Sequence, residues 1–286
     1  MKSLSHSTIL AYNRAWAKYS AFSIKIDIPP TLPIAPHNLE LFITDLFNDG
    51  RPASSIVSTV SGLGFFHKIN NLFDPAKSQG VQILLHSIKK SRPSTDSRRP
   101  VTEDILFRML SHMPSFSLPR RELHLFQTMF LMAFYFGLRI GEITESRHNL
   151  LRSNVTLLGS RLFIHFSSFK HSLDLNSPHF LQAAPCKLFC PVAYIKRYLS
   201  VRGDVEGPLF LSEGKPISRN TFLKIMRLTL QASGLPISDF NTHSFRIGAA
   251  TYWAQKGLSD LMIKKLGRWR SDAVFKYIRG GVDHSV

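Results

Sequence analysis

The stretch LHLFQTMFLMAFYFGL, residues 123 to 138, constrains this chain more than any other segment. It carries apolar side chains around the whole circumference of a helix rather than along one stripe, so such a helix has to be enclosed on all sides. Its uninterrupted apolar part, Thr128 to Leu138, is too short for the roughly 20 residues a bilayer demands. The sequence therefore predicts a central buried helix over 120–136, with the enclosing elements supplied by the rest of the chain. With 286 residues there is enough chain for two domains.

Helical periodicity dominates the flanks. Residues 5–22 place Tyr12, Trp16 and Tyr19 on one face, and Trp16, like Trp253 later, is expected to pack in a core. Pro29, Pro30, Pro33 and Pro36 break the pattern, and further helices are predicted at 38–48, 53–69 and 80–90. The second stops at Asp49-Gly50. Beyond residue 100, helices are predicted at 102–113, 191–201, 218–233, 244–256 and 258–266. Between them the texture turns strand-like: 155–158 and 162–166 flank a Gly159-Ser160 turn, and a third short strand is predicted at His179 to Gln182. The expected fold class is mainly α with a small antiparallel β-sheet. The domains are a helical unit over 1–90, a basic linker at 91–100 and a mixed unit over 101–286. The boundary rests on KKSRPSTDSRRPVTED (89–104), rich in proline, serine and basic residues.

Charge then limits the partners. Thirty-six Lys and Arg against 19 Asp and Glu give a formal net charge of +17. An imbalance of that size points to a polyanion, and double-stranded DNA is the expected one. An anionic membrane surface would call for an amphipathic helix with a Lys/Arg-rich polar face, which is not evident, and the N-terminus lacks a signal-peptide core, so no membrane association is expected. Lys89, Lys90, Arg92, Arg98 and Arg99 in the linker are candidate contacts to the DNA backbone. Cys186 and Cys190 are the only cysteines, which excludes a disulfide framework and suits a reducing compartment. No metal is expected: a structural zinc needs four ligands, and His165, His171 and His179 are read as exposed or DNA-facing strand residues.

The last third concentrates chemistry. Phosphodiester transfer without a metal or other cofactor needs an attacking oxygen, cations for the charge on the phosphate and an acid for the leaving oxygen. Arginine suits the second task because its planar fork grips two oxygens. Thr242-His243-Ser244-Phe245-Arg246 puts a histidine and an arginine three residues apart, on one face of a helix start. Leu266-Gly267-Arg268-Trp269 and then Tyr277-Ile278-Arg279 follow. Earlier, Gly137-Leu138-Arg139-Ile140-Gly141-Glu142 sets an arginine on a tight turn, with an acid three residues on that can hold it.

These blocks carry a family resemblance. GLRIGEI (137–143) resembles the first arginine box of tyrosine recombinases and integrases, HSFR (243–246) their H-x-x-R box, and LGRW followed by Tyr277 the segment that bears their nucleophile. The string HSFRIGAATYWAQKG, with IKKLGRW and SDAVFKYIR after it, looks most like recombinases of eukaryotic mobile elements of the crypton and DIRS/Ngaro kind. The N-terminal helices are similar to the family's core-binding domain, so the resemblance spans essentially the whole chain.

What the resemblance implies is a site-specific recombinase of two domains, acting in the nucleus as a homo-oligomer, a tetramer on two DNA sites. Arg139 and Arg246 would clamp the scissile phosphate, Glu142 would orient Arg139, and His243 would hydrogen-bond the phosphate or accept a proton. Tyr277 would attack to give a 3′-phosphotyrosyl bond. The leaving 5′-oxygen would take its proton from a hairpin lysine, which the order of motifs assigns to Lys170 ahead of Lys187. Trp269 would fill the position held by His or Trp in relatives, although it stands eight residues before Tyr277 and Arg268 nine, the interval usual in prokaryotic relatives. Two alternatives share most of these features: a catalytically silent DNA-binding protein derived from such a recombinase, and a type IB topoisomerase-like enzyme.

Overall fold

The computed structural model describes residues 4, 6–92, 97–166, 179–182, 188–269, 274–275 and 277–278. The chain divides into two compact units, Met1–Asp96 and Ser97–Val286.

The first unit is helical. It contains α1 (His6–Lys25), α2 (Pro36–Asn48), α3 (Ala53–Ile69) and α4 (Gln79–Ser91), with a short 3₁₀ turn at Pro75–Lys77. Pro36 opens α2, where its missing N–H costs nothing. Helix α1 packs on α3, and α2 on α4. Their apolar faces meet in a core that includes Tyr19, Phe42, Ile43, Ile56, Leu63 and Val81. Trp16 packs against this core half-buried. His67, fully buried, ties the proline-rich connection to α3: its Nε2 accepts from the Ile34 N–H at 2.9 Å while Nδ1 donates to the Leu63 carbonyl at 2.9 Å.

The second unit is built around the apolar helix. It contains α5 (Glu103–His112), α6 (Arg120–Tyr135), the one-turn α7 (Ile140–Ile143), and strands β1 (Val155–Leu158), β2 (Arg161–Ile164) and β3 (His179–Gln182). Then come α8 (Pro191–Arg202), the two-residue strands β4 (Leu211–Ser212) and β5 (Lys215–Pro216), α9 (Arg219–Ala232), α10 (Thr242–Gln255) and α11 (Asp260–Gly267). Every residue of α6 from Leu125 to Tyr135 is buried. Helices α8 and α10 pack on it, and Phe130 lies 5.1 Å from both Phe222 of α9 and Phe245 of α10. Among the described residues no helix is long and apolar enough to cross a membrane. The all-round apolar surface of α6 is thus covered by protein.

Local chemistry sets the helix starts. The Thr102, Ser218 and Ser259 hydroxyls cap α5, α9 and α11 by accepting from backbone N–H groups of the first turn. At α10, Asn241 Oδ1 accepts from the His243 N–H at 2.8 Å and Ser244 Oγ accepts from the Asn241 N–H at 3.0 Å. This pair of reciprocal bonds sets where the helix holding His243 and Arg246 begins.

The sheet is antiparallel in the order β1-β2-β3, with Val155 opposite Ile164 and Arg161 opposite Gln182. Its first turn is Gly159-Ser160, as the sequence predicts, with Gly159 at φ +58°. Strand β2 ends two residues earlier than the expected 166, and Phe166 is buried in the core instead. The β4–β5 hairpin is absent from the sequence-based expectation because strands of two residues show no alternation. Its turn is nonetheless legible, since Glu213 and Gly214 both take positive φ, as a type I′ turn requires.

Less chain than 91–100 is left as a connection. Ser91 closes α4, and by residue 99 the chain is bonded into the second unit: Arg99 N–H donates to the Asp239 carbonyl at 2.8 Å and Val101 N–H to that of Ser244 at 3.0 Å. The second bond brings the backbone against α10 at Gly248, where an added Cβ would sit 1.8 Å from the Val101 oxygen. Gly248→Ala is therefore expected to destabilise the second unit by about 1–3 kcal/mol. Urea denaturation followed through Trp253 fluorescence, with Trp16 and Trp269 replaced by Phe in both proteins, checks this; an unchanged midpoint would show that the contact yields freely.

Candidate active site

The C-terminal end of α6 shapes the first part of the site. The helix stops at Tyr135, and Gly137 turns the chain with φ +53°, a conformation glycine adopts without steric cost. A side chain there would also meet Trp253, 2.8 Å from an added Cβ. The turn delivers Arg139 to the N-cap of α7 in an extended conformation. Glu142, 2% exposed, folds back on it: Oε2 accepts from the Arg139 N–H at 2.8 Å and Oε1 from Nη1 of the same residue at 3.0 Å. One carboxylate thus holds both the backbone and the guanidinium of Arg139.

Arg246 approaches from α10, also 2% exposed. Its Nη1 donates to the Gly137 carbonyl at 2.5 Å and its Nη2 to that of Gly267, while the guanidinium lies over the Trp269 ring, 4.1 Å from the centroid. The far end of α11 completes the arrangement. Arg268 N–H donates to Lys265 O and Trp269 N–H to Lys264 O, a Schellman closure with Arg268 in the left-handed conformation at φ +55°. Glycine is usual at that position, and a residue with a Cβ costs on the order of 1 kcal/mol there.

The Arg268 side chain runs inward. Its Nη2 donates to Glu142 Oε2 at 2.7 Å and to Gly137 O at 3.3 Å, its Nη1 to Leu266 O at 3.1 Å and Phe136 O at 3.4 Å, and its guanidinium stacks on Phe166 at 4.0 Å. Its own carbonyl accepts from Arg139 Nη2 at 3.1 Å. Arg139 and Arg268 thus share the Glu142 carboxylate, and Arg246 shares the Gly137 carbonyl with Arg268. Burial disfavours the Glu142 anion, but the charges of Arg268 and Arg139 outweigh it and hold the carboxyl below its ordinary range. Burial, then Arg139 and Arg268, presses the Arg246 guanidinium downward; an arginine remains a cation under such pressure.

Trp269 and Tyr277 face each other with ring centroids 5.3 Å apart. Tyr277 is half-buried beside a small cluster of Trp253, Ile263 and Val274, its N–H donating to Val274 O at 2.8 Å and its carbonyl accepting from Thr251 Oγ1 at 3.3 Å. Gly267 makes room for the indole, since an added Cβ would stand 1.4 Å from a Trp269 ring carbon. His243 is exposed at the start of α10, yet its imidazole is held below its ordinary range. Partial burial of the ring is the first cause, followed by the charges of Arg98, Arg246, Arg219 and Arg139.

Arg139, Glu142, His243, Arg246, Trp269 and Tyr277, which lie far apart in sequence, are thus assembled in one electropositive place. Lys170, Lys187, His171 and Cys186 lie outside the described residues. Among the linker cations, Lys89 and Lys90 are exposed on the last turn of α4. Arg92 is not a free arm: it stacks over Phe47 at 4.0 Å and donates to the Arg51 carbonyl at 3.3 Å. Arg99 is likewise engaged, 3.8 Å from Asp239 and over Phe240, and Arg98 acts electrostatically on His243. An aromatic ring lies beside each of Arg92 and Arg99, although Arg99 keeps about half of its side chain exposed. The residue that sequence reasoning passed over is Arg268; its place nine residues before Tyr277 was the available signal. Among the described residues no group of three or more His, Cys, Asp or Glu is placed to hold a metal ion.

Comparison with known proteins places this arrangement. A family model described as the phage integrase family matches residues 101–279. An integrase/recombinase xerD homolog of Selenomonas ruminantium is 25% identical over 300 residues, covering 98% of this chain and 83% of the relative. The XerH site-specific recombinase bound to palindromic difH substrate, a post-cleavage complex, superposes with a TM-score of 0.68 at 16% identity, over 94% of this chain and 75% of that one. A lambda integrase tetramer bound to a Holliday junction gives 0.63 at 16% identity, over 97% and 73%.

Two outcomes follow from the electrostatics. Glu142→Gln leaves Arg268 buried without its counter-charge and is expected to cost about 3–5 kcal/mol. Because the folded carboxyl is held below its ordinary 4.5, its contribution is fully present above that pH and is lost as pH falls through the folded value. The stability gap between wild type and variant, measured in urea, should narrow on acidification; a gap independent of pH would refute the assignment. Separately, the His243 ring should titrate below 6.5 in an NMR titration and move upward in Arg219→Gln. A value at or above 6.5 would count against both the burial of the ring and the action of the arginines, and no movement in Arg219→Gln would count against the action of Arg219.

Proposed function

From the premise that this chain belongs to the phage integrase family, we propose that it is a site-specific DNA recombinase that cleaves and rejoins strands through Tyr277. One observation carries the reading: two arginines from distant segments are aimed by backbone carbonyls and a buried carboxylate, and the Trp269 ring beneath one of them also packs on Tyr277.

In this mechanism Arg139 and Arg246 bind the non-bridging oxygens of the scissile phosphate and offset the charge that develops as a fifth oxygen bonds to phosphorus. Their placement is fixed before substrate arrives, which removes most of the reorganisation such a step would otherwise need. The Tyr277 hydroxyl oxygen forms the new P–O bond and releases its proton. The 5′-oxygen departs and takes up a proton, which the proposal assigns to Lys170. His243, whose imidazole favours the neutral form, accepts a proton or hydrogen-bonds the phosphate. The phosphotyrosyl bond replaces a phosphodiester of similar energy, so a 5′-hydroxyl reverses the step with no ATP and no metal.

The partner is double-stranded DNA, consistent with a net charge of +17. Phosphate contacts are proposed for Lys89 and Lys90 and, once their local contacts are accounted for, for Arg92, Arg98 and Arg99. Assembly as a tetramer on two DNA sites is part of the same proposal. The string HSFRIGAATYWAQKG supports a mobile-element recombinase of crypton or DIRS/Ngaro kind as the subtype, and a nuclear site of action goes with it.

The test is a nicked suicide duplex carrying the sequences that flank the protein's own gene, incubated without metal with wild type and with Tyr277→Phe. Wild type is expected to leave a denaturation-resistant protein–DNA adduct, and Tyr277→Phe none while binding the same duplex. Binding without an adduct by wild type would sink the enzymatic reading in favour of a silent DNA-binding protein. Free relaxation of supercoiled plasmid without exchange would favour the topoisomerase-like one.

A further inference from the structure

We propose that Arg268 is a positioning residue, the one that aims both Arg139 and Arg246. The inference rests on the function proposed above, and the geometry argues for it from three sides.

The first is the backbone. The left-handed turn at Arg268 closes α11 so that two successive carbonyls become acceptors: Gly267 O for Arg246 Nη2 and Arg268 O for Arg139 Nη2. One turn thus addresses both arginines, although they arrive from α10 and from the end of α6. The second is the shared acceptor. Gly137 O accepts from Arg246 Nη1 and from Arg268 Nη2, so the Arg268 fork fixes the carbonyl on which Arg246 rests. The third is charge. Glu142 divides its oxygens, Oε1 to the Arg139 guanidinium and Oε2 to Arg268 and the Arg139 N–H. Without Arg268, a buried carboxylate would be left short of a donor and would draw a nearby guanidinium toward itself. The nearest are Arg139 and Arg246, which would then be pulled from the place where a phosphate is to bind.

Arg268 does not touch the substrate in this account. Its side chain is 3% exposed and points away from the Trp269–Tyr277 pair. A left-handed position that glycine would occupy without strain instead carries an arginine, buried in a cluster that already holds two others. Glycine would keep the turn, and what the arginine adds is the fork that bonds both Glu142 and the Gly137 carbonyl.

Arg268→Gly separates the roles, because glycine keeps the turn and its carbonyls while the fork is lost. Single-turnover cleavage of the suicide duplex should fall on the order of 100-fold, as expected when clamp groups drift by about an ångström. Duplex affinity should stay within about threefold. The decisive comparison is a cycle with Arg139→Lys. Because Arg268 acts through both arginines, Arg268→Gly should cost about tenfold less in an Arg139→Lys background, where only its action on Arg246 is left to lose, than in wild type. Additive losses, an unchanged rate in Arg268→Gly, or a fall in affinity that accounts for the whole loss would each overturn the proposal. Should Arg268→Gly not fold, Arg268→Lys enters the same cycle: it keeps a charge for Glu142 but lacks the fork, and a loss of about tenfold with the same non-additivity is expected.

A second readout needs no chemistry. In the DNA-free protein the Nη–Hη NMR signals of Arg139 and Arg246, whose Nη atoms make the bonds to Glu142 and the carbonyls, should be slow to exchange, and become solvent-averaged in the variant. If wild type forms no adduct but these signals depend on Arg268, the recombinase reading fails and the positioning role stands. If wild type forms the adduct and the signals are indifferent to Arg268, the reverse holds.

Discussion

The buried carboxylate of Glu142 is the contact on which the site depends. A lone anion in that place would be strongly disfavoured, and three lone guanidinium groups more so. Together they form a bonded group in which most donors meet a carboxylate or backbone oxygen. Such a network contributes little net stability over an apolar core of the same volume. What it contributes is direction: Arg139 and Arg246 are each bonded through both Nη atoms, which fixes how their guanidinium planes lie.

That group can exist only because the surrounding core is rigid. Helix α6 is buried from Leu125 to Tyr135, and α8 and α10 pack on it. Its end at Gly137 therefore has a fixed position, and the Gly137 carbonyl becomes a reference point for Arg246 and Arg268. Gly248 serves the same end by letting the chain at Val101 reach α10, so that the helix carrying His243 and Arg246 is held against the segment entering the unit. The core thus determines the site's geometry to a fraction of the length of a hydrogen bond, which loops alone do not achieve.

Much of this was legible in the sequence, for reasons of range. The boundaries of α3 follow from its own residues, as does the Gly159-Ser160 turn; the enclosure of α6 follows from the absence of any polar face. The Glu142–Arg139 contact was foreseeable because the partners stand one helical turn apart. The linker arginines show the opposite. Arg92 and Arg99 read as cations in a polar, proline-rich segment, but Phe47 and Phe240 are brought beside them by folding, and no local pattern announces an aromatic ring from a distant part of the chain.

The amino-acid order by itself determined a mainly helical chain with one small antiparallel sheet, a family membership written in short motifs, and the candidates Arg139, Glu142, His243, Arg246, Trp269 and Tyr277 that the fold brings near one another. Only the tertiary structure decided which of two neighbours, Arg268 or Trp269, turns toward Tyr277. A spacing of eight or nine residues does not distinguish them, since the answer depends on one backbone dihedral. With φ at +55°, residue 268 sends its side chain inward to Glu142 and leaves the next residue to stack between Arg246 and the tyrosine. That dihedral is set by the closure of α11 against the end of α6, through contacts between residues more than a hundred positions apart.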